Sequence, residues 1–346
     1  MNRILKLTIS MVLSLALWMP SGSISAFANA ASTEEWTQYP LIAHALGGID
    51  GVVYTNSLEA FQSNYDKGQR VFEVDLSLTE DGLLAARHDW EGYLAAKFEQ
   101  DIPADRLDKP LTLKEFQSYK ILKEYTPLSF TNIARILQKY PDVYFITDTK
   151  ETDLALVEKQ FTLIRDTANR LDPAILDRLI PEIYSPEMME KVKSIVAFKH
   201  VIFSIYMSSM EPDEVVQYVK DNRIHVVAMP SERASKAFMN KLAKADAVAY
   251  VHSLNSVEEV TKFLNMGVHG VYTDFLSYRD LGIDTSAWAG PAAAAASTAD
   301  GAATAAALHP TIASTAKDTM PSQSASLTKQ SAWEALKSFI AEIFSI

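Results

Sequence analysis

Short apolar runs alternate with longer amphipathic stretches from about residue 33 onward. An apolar run of four to eight residues is typical of a buried strand, and the stretches between the runs have helical length and spacing. Strands that alternate with helices indicate an α/β domain with a parallel sheet. The eight runs that predict strands are Leu41–His44, Val71–Ser77, Val143–Thr147, Leu179–Tyr184, Val201–Tyr206, His225–Met229, Val248–His252 and Gly270–Thr273.

Eight strand–helix repeats over about 250 residues are the size of a (β/α)8 TIM barrel. We therefore predict a TIM barrel over residues 34–288, with a doubly wound sheet as the structural alternative. Helix-start signals agree with the repeats. Asn56 and Ser57 precede Glu59, and Ser256 precedes Glu259, in capping-box style. Pro186 and Pro212 suit the first turn of a helix.

The second strand continues into a predicted hairpin. Asp81-Gly82 between two strand-like runs predicts a two-residue type I′ turn, which makes Leu83–His88 an antiparallel arm outside the barrel. In that register residue 75 faces residue 88, and Glu73 shares a face with Asp75 because side chains alternate along a strand. We therefore expect His88 to lie beside Asp75.

Residues 90–127 fit no strand–helix unit, because their charge is mixed and they contain several prolines. They follow the second strand, so we expect a small insertion that folds over the C-terminal mouth of the barrel as a lid. Trp90 and Tyr93 either pack within this lid or contact an apolar part of a substrate.

Both ends of the chain differ from the barrel. Residues 1–30 predict a signal peptide, since Arg3 and Lys6 precede the apolar stretch Leu7–Met19 and Ala28-Asn29-Ala30 matches a cleavage site. We expect cleavage after Ala30 and a secreted, extracellular protein. Residues 289–330 read as an Ala/Ser/Thr-rich linker. Residues 331–346 predict an amphipathic helix that docks on the barrel or a partner, or makes weak contact with a membrane surface.

Composition excludes several classes of function. The 346 residues carry a formal net charge of −11, which argues against nucleic acid as a partner because such binding needs a basic surface. The chain has no cysteine. Disulfides, thiolate metal sites and a cysteine nucleophile are therefore excluded.

Histidines and carboxylates occur at the ends of the first strands. His44 ends the first strand, Glu73 and Asp75 lie on the second, and Asp148 follows the third. Active sites of TIM barrels lie at the C-terminal ends of the strands. Oxygen ligands for a hard cation beside imidazoles suggest metal-assisted phosphoryl chemistry.

An ordered set of motifs resembles the glycerophosphodiester phosphodiesterase family, a branch of the barrel phosphodiesterases that also includes phosphatidylinositol-specific phospholipase C. The resemblance extends from Pro40 to Leu276. Its motifs are Ile42-Ala43-His44, Asn56-Ser57-Leu58-Glu59-Ala60-Phe61, Phe72-Glu73-Val74-Asp75, Thr79-Glu80-Asp81-Gly82, Arg87-His88-Asp89, Ile146-Thr147-Asp148-Thr149-Lys150, Tyr250-Val251-His252-Ser253-Leu254-Asn255 and Gly267-Val268-His269-Gly270-Val271-Tyr272-Thr273-Asp274.

The resemblance implies a cofactor and a mechanism. It implies His44 and His88 as the acid/base pair and Lys150 as a phosphate contact. A neighbouring hydroxyl of the substrate would attack phosphorus, a cyclic phosphate would form, and water would open it. The implied cofactor is one divalent cation, Mg²⁺ or Ca²⁺, whose ligands are Glu73, Asp75 and Asp148.

Three positions depart from the family pattern. His44-Ala45-Leu46-Gly47-Gly48 replaces the usual His-Arg-Gly, as in secreted bacterial-type variants, so we expect the N–H groups of Gly47 and Gly48 to bind the anion. Tyr54-Thr55-Asn56-Ser57 replaces Pro-Glu-Asn-Thr. Asp148 replaces a glutamate, which is similar to the venom sphingomyelinase D branch.

Residues on later strands have simpler expectations. Tyr206 and His252 end strands and either line the substrate pocket or are structural. Asp274 is expected to be a helix cap or a turn residue. The remaining histidines of the barrel stand at strand starts and are expected to be structural, namely His200, His225 and His269.

These observations predict a metal-dependent phosphodiester hydrolase that uses two histidines for acid/base catalysis. Its substrate class is a glycerophosphodiester, a lysophospholipid or a related headgroup diester, as a small molecule or a lipid. Two alternatives stay open. One is a phospholipase D-like lyase that stops at the cyclic phosphate, and the other is a non-catalytic binding protein on the same barrel.

Overall fold

The computed structural model describes residues 34–285. The predicted signal peptide (1–30), linker (289–330) and C-terminal helix (331–346) lie outside the described residues. Eight parallel strands form a closed barrel, because the first strand pairs with both the second and the last. A ninth strand, β3, is an antiparallel arm on β2. The strands are β1 Leu41–Ala43, β2 Val71–Leu78, β3 Leu84–Ala86, β4 Tyr144–Asp148, β5 Leu179–Ile183, β6 Ile202–Ser204, β7 Val226–Pro230, β8 Val248–His252 and β9 Gly270–Thr273.

The (β/α)8 barrel is confirmed and the doubly wound sheet is excluded, because an open sheet has two unpaired edges. Between the strands lie helices whose bounds are α1 Leu58–Asp66, α2 Gly92–Lys97, α3 Leu113–Ser118, α4 Phe130–Lys139, α5 Leu154–Leu171, α6 Pro186–Ile195, α7 Pro212–Asn222, α8 Lys236–Lys244 and α9 Val257–Met266. Within residues 34–285, none of them combines the length and the apolar character that a membrane span requires.

The predicted helix starts are present. Ser57 and Ser256 accept hydrogen bonds from the third residue of α1 and α9, and Pro186 and Pro212 occupy first-turn positions. Glu59 differs from the prediction, since its carboxylate accepts from the N–H and hydroxyl of Thr126 instead of completing a capping box.

Alternation along the strands determines what fills the barrel. The interior floor is an apolar cluster with a residue from each barrel strand, capped by Trp36, whose ring stacks on Tyr250. A side chain two residues further along a strand points to the same face. Polar side chains therefore follow the floor residues toward the C-terminal mouth, as Val71 is followed by Glu73 and Asp75, and Ile146 by Asp148.

The arm is shifted by one residue from the predicted register. Leu76 lies opposite Ala86, and the Arg87 N–H donates to the Asp75 carbonyl at 3.0 Å. Arg87 therefore faces Asp75 where we expected His88, and His88 lies beyond the end of β3.

A five-residue loop, 79–83, replaces the predicted two-residue turn. A type I′ turn needs positive φ at both central residues, but of this pair only Gly82 has it, at +76°. The Thr79 hydroxyl accepts from the Leu83 N–H at 2.9 Å and donates to the Asp81 carboxylate at 2.6 Å. Asp81 also accepts from the Leu113 N–H. Asp81 thus ties the arm to the insertion, which is why the tighter turn does not form.

The insertion of residues 90–127 packs against the loop that follows β1. Leu94 and Phe98 form an apolar cluster with Ile121 and Tyr125, and residues of that loop, Tyr54 among them, pack against it. The Tyr125 hydroxyl donates to Asp50. The insertion is therefore anchored to a segment that carries part of the barrel mouth.

A tight turn after β1 holds His44 in place. His44–Leu46 form one turn of 3-10 helix, and φ is positive at Ala45, Leu46 and Gly47. The Gly47 N–H donates to the His44 carbonyl at 2.7 Å, and the Gly48 N–H donates to the Asp274 carbonyl at 2.5 Å. Both donors are taken by backbone carbonyls, which contradicts the prediction that they bind an anion.

The two glycines are needed for close packing. A Cβ on Gly47 would lie 2.3 Å from Nδ2 of Asn64, and a Cβ on Gly48 would lie 2.2 Å from a ring carbon of Phe275. The Asn64 amide donates to the carbonyls of Leu46, Gly48 and Ala60. Side chains at these glycines would therefore separate the turn from α1 and β9.

Gly47→Ala is expected to lower the free energy of unfolding by more than Gly51→Ala. Both residues have a positive φ, which costs an alanine about 1–2 kcal/mol or more, and Gly47, with ψ of 160°, lies in a region that is essentially restricted to glycine. Only Gly47 has a neighbour in the way, so its variant should lose about 1–3 kcal/mol more, since nothing lies within 4 Å of a Cβ on Gly51. Urea denaturation measures both losses. Equal losses would contradict the packing role of Gly47.

Candidate active site

Three buried carboxylates converge at the mouth of the barrel. Glu73 and Asp75 come from β2, and Asp148 comes from the neighbouring strand β4, where it pairs in register with Asp75. One oxygen from each of the three lies within 4.8 Å of the other two. The structure thus brings together the residues that were predicted to hold a divalent cation.

Backbone and side-chain donors orient the two carboxylates of β2. The Ala45 N–H donates to Oε2 of Glu73 at 2.7 Å. The Asn56 side chain donates to Oδ2 of Asp75 at 2.8 Å, and its carbonyl accepts from the Asp75 N–H. Asn56 has a left-handed φ of 46°, a conformation that asparagine tolerates better than most residues. The backbone is left-handed at Ala45, before Gly48, and at Asn56, after it. These two conformations present the Ala45 N–H and the Asn56 side chain to the carboxylates.

Lys150 and two tyrosines surround Asp148. The Lys150 ammonium lies 2.8 Å from Oδ1 of Asp75 and also contacts Oδ2 of Asp148. The Tyr184 hydroxyl donates to Oδ1 of Asp148, and so does the Tyr206 hydroxyl, at 3.2 Å. Tyr206 therefore lies in the site. It was expected either to line the substrate pocket or to be structural, and its hydroxyl contacts Asp148, a candidate metal ligand.

The charges of this cluster do not balance. Burial and repulsion from Asp75 raise the pKa of Glu73 well above its usual value. Burial also opposes ionisation of Asp75, but Lys150 and the two histidines outweigh it and lower the pKa of Asp75. For Lys150, burial disfavours the charge, yet the carboxylates raise its pKa. Three carboxylates against one ammonium leave excess negative charge.

This donor set suits a hard divalent cation. Oε1 of Glu73 is buried and has no hydrogen-bond partner among the described residues. A buried unpaired carboxylate oxygen is costly, and three carboxylates are the ligand type that Mg²⁺ and Ca²⁺ prefer. Glu73, Asp75 and Asp148 therefore fit the implied divalent cation.

Each predicted catalytic histidine is paired with an aspartate. Nδ1 of His44 lies 2.9 Å from Oδ1 of Asp274, whose other oxygen accepts from Asn255 at 2.6 Å. Nδ1 of His88 lies 2.6 Å from Oδ2 of Asp89. A carboxylate at Nδ1 favours the tautomer that carries its proton there. In the described residues Nε2 of each ring has no protein partner, which leaves that nitrogen to exchange a proton with a ligand.

Tyr54 joins the two histidines. Its ring centroid lies 4.9 Å from that of His44 and 5.2 Å from that of His88, edge-on to both. The backbone of Tyr54 is left-handed, with φ of 69°. A strained residue held between two functional side chains is typical of an active site.

His252 differs from the two paired histidines. Its ring packs edge-on to Tyr206 and Tyr272, and its Nε2 is buried without a partner among the described residues. Burial, reinforced by repulsion from His44, lowers the pKa of His252 to about 4. His252 is therefore neutral near pH 7 and shapes the wall of the site rather than carrying charge.

Several residues of the site were missed by the sequence reasoning. Asp274 is the partner of His44 rather than a helix cap, and it follows the inward-facing Tyr272 by two positions, so strand alternation could have identified it. Tyr184 follows the floor residue Ile180 by four positions, so the same alternation could have identified it. Tyr54 and Asn56 had no such signal, because a left-handed loop has no fixed side-chain period. His200, His225 and His269 lie at strand starts, outside the site.

A buried carboxyl group, that of Glu182 on β5, lies closer to the apolar floor of the barrel than the carboxylate cluster does. Glu182 accepts a hydrogen bond from the Tyr272 hydroxyl at 2.6 Å. Burial, with repulsion from Asp148, raises the pKa of Glu182 to about 7. This carboxyl therefore holds its proton over much of the neutral range.

Comparison with known families gives one match. The sequence profile of the glycerophosphoryl diester phosphodiesterase family matches residues 48–277, about two thirds of the chain. The matched range includes both acidic strands, His88 and Asp274, and it begins four residues after His44. No curated protein sequence matches the chain significantly.

Solved structures with a similar fold include three phosphodiesterases. The Oleispira antarctica enzyme, solved with the product sn-glycerol-3-phosphate, has a TM-score of 0.58 at 15% identity and covers 71% of this chain and 97% of its own. The Thermotoga maritima glycerophosphodiester phosphodiesterase gives 0.52 at 18%, covering 70% and 95%. The Agrobacterium tumefaciens enzyme gives 0.52 at 14%, covering 70% and 97%. At these identities the likeness shows the fold alone.

The free energy of unfolding of the Glu182→Gln variant, relative to that of the wild type, is expected to increase as the pH rises. Below pH 4.5 the carboxyl is neutral in both states. Between pH 4.5 and about 7 it ionises only in the unfolded chain. The wild type therefore loses about 2–3 kcal/mol across this window, and the amide variant does not.

Urea denaturation of both proteins at several pH values, in buffer with a chelator, measures this difference. Glu124→Gln is the control, because it removes an exposed carboxylate. A difference between Glu182→Gln and the wild type that stays constant with pH would contradict the raised pKa.

Proposed function

The chain belongs to the glycerophosphoryl diester phosphodiesterase family, and from this premise we propose that its mouth cluster and paired histidines hydrolyse a glycerophosphodiester or a related headgroup diester. The family makes the chain a phosphoric diester hydrolase. The proposal adds the residues and the substrate class. The product sn-glycerol-3-phosphate, bound by the Oleispira structure, is the fragment that such a reaction would release here.

One observation carries the proposal. Two imidazoles, each with an aspartate at Nδ1, flank a buried carboxylate cluster at the end of the barrel where active sites lie. Acid/base catalysis of diester cleavage needs one group to take a proton and another to give one. His44 and His88 meet this need, and the field of both rings reaches Asp75.

Each residue has a role in the proposed reaction. One imidazole removes the proton from a substrate hydroxyl next to the diester, and that oxygen attacks phosphorus. The other imidazole donates a proton to the departing alcohol. The two imidazoles then exchange roles when water opens the cyclic phosphate. Asp274 and Asp89 orient the rings, as a carboxylate behind a histidine does.

Glu73, Asp75 and Asp148 would hold the cation. When bound, a divalent ion neutralises the charge that develops on the phosphoryl oxygens. Lys150 contributes a fixed positive charge beside Asp75 and Asp148, while Tyr184 and Tyr206 keep the Asp148 carboxylate in its orientation. His252 stays uncharged at the end of β8, beside Tyr206 and Tyr272.

Phosphorus NMR of the reaction products tests the activity and separates it from the lyase alternative. The full chain is incubated with glycerophosphocholine or lysophosphatidylcholine and with Mg²⁺, Ca²⁺ or a chelator. We expect a phosphomonoester signal with one of the ions and no turnover with the chelator. A cyclic phosphate that persists would favour the lyase. No cleavage of either diester with either ion would contradict the proposed substrate class.

His44→Ala and His88→Ala are each expected to lower kcat by at least about 100-fold, because each removes a proton-transfer group. Circular dichroism should show that both variants keep the fold, since both rings lie at the mouth rather than in the barrel floor. His225→Ala is the matched control, as that ring lies at the start of β7, at the opposite end of the barrel. A wild-type rate in either active-site variant would remove that histidine from the mechanism.

A further inference from the structure

Two positively charged side chains near the mouth, those of Lys150 and Arg87, already have protein partners. Lys150 is held by Asp75 and Asp148. Arg87 is buried and turned into the insertion, where it donates to the Asp89 carbonyl and the Gln100 side chain and lies over the ring of Trp90. Both side chains therefore already have protein partners in the site.

Lys97 is in a different position. It is the last residue of α2 in the insertion, and its ammonium lies 4.9 Å from the ring centroid of Tyr54. That ring separates His44 from His88. Lys97 is exposed and forms no ion pair or hydrogen bond within residues 34–285, and its charge reaches Asp274, where it helps to keep the carboxylate ionised.

The insertion sets the position of this lysine. Leu94 of α2 and Phe98, the residue directly after Lys97, pack in the same apolar cluster as Tyr54. The Phe98 carbonyl also accepts from the Leu122 N–H at 2.7 Å. The base of the Lys97 side chain is therefore fixed relative to Tyr54, while its flexible end remains mobile.

A contact with an aromatic face is weak at an exposed site. A charge-assisted hydrogen bond to a phosphoryl oxygen is stronger. An anion above the two imidazoles therefore offers the Lys97 ammonium a better partner than the Tyr54 ring, within reach of a four-carbon side chain.

We propose that Lys97 is a substrate-binding residue, supplied by the insertion, that contacts a phosphoryl oxygen of the anionic substrate beside His44 and His88. The ring of Tyr54 holds the ammonium near the site until the anion arrives. This assignment rests on the proposed function for its substrate class. It makes the insertion part of the binding site rather than only a cover.

Kinetics test this role. Lys97→Gln is expected to raise the KM for a glycerophosphodiester about tenfold and to change kcat by less than about threefold, because the lost contact binds charge present in both the substrate and the transition state. Lys97→Arg should keep KM within about threefold of the wild type. Lys109→Gln removes another exposed lysine of the insertion, one that contacts only the Asp105 carbonyl, and should leave KM unchanged.

A binding measurement separates this proposal from the proposed activity. Calorimetric titration with sn-glycerol-3-phosphate or inorganic phosphate, in Mg²⁺-containing buffer, should show about tenfold weaker binding for Lys97→Gln than for Lys109→Gln. If that loss occurs while the wild type cleaves no diester, the activity is wrong and the role of Lys97 stands. Wild-type phosphate affinity and wild-type KM in Lys97→Gln would overturn the role of Lys97, even in an active enzyme.

Discussion

Burial of three carboxylates around one ammonium is the constraint on which this site depends. A charged group removed from water is costly unless a partner or a hydrogen bond compensates it. Here the compensation comes from the Lys150 ammonium, the Ala45 N–H, the Asn56 amide and the hydroxyl of Tyr184. Each donor lies at the end of a strand or in the loop that follows one. The loops of the mouth therefore have the conformations that bring these donors to the carboxylates, and Ala45, Asn56 and Lys150 have left-handed backbones that would otherwise be unfavourable.

Much of the fold and part of the site could be predicted from the sequence, because both follow strand alternation. The period of two places Glu73, Asp75 and Asp148 above the apolar floor, and the same rule applied to Tyr272 leads to Asp274. The prediction of a two-residue turn in the arm was wrong. Asp81 accepts a hydrogen bond from the N–H of Leu113, which is 32 residues away, and local turn rules do not include such a contact. The glycines after His44 were assigned to an anion, whereas the Gly47 N–H bonds to the His44 carbonyl within the turn and the Gly48 N–H bonds to the Asp274 carbonyl, which the closed barrel brings near.

The two aspartate–histidine pairs are built differently. Asp274 reaches His44 across the seam where β9 closes on β1, so this pair depends on the whole barrel. Asp89 is the residue next to His88, and its carboxylate also accepts from Tyr93 of the insertion. One pair is therefore held by the closure of the barrel and the other by local structure.

The insertion leaves and rejoins the barrel at neighbouring points. Its exit at residue 90 follows the arm, and its return is tied by the Leu58 N–H to the Thr126 carbonyl and by the Ala86 N–H to the Leu128 carbonyl. A segment whose two ends lie side by side can be exchanged for another, because its replacement leaves the strand pairing of the barrel undisturbed. Replacing this single segment would therefore change the side chains offered to a ligand at the mouth, while the strands that carry the carboxylates stay paired as before.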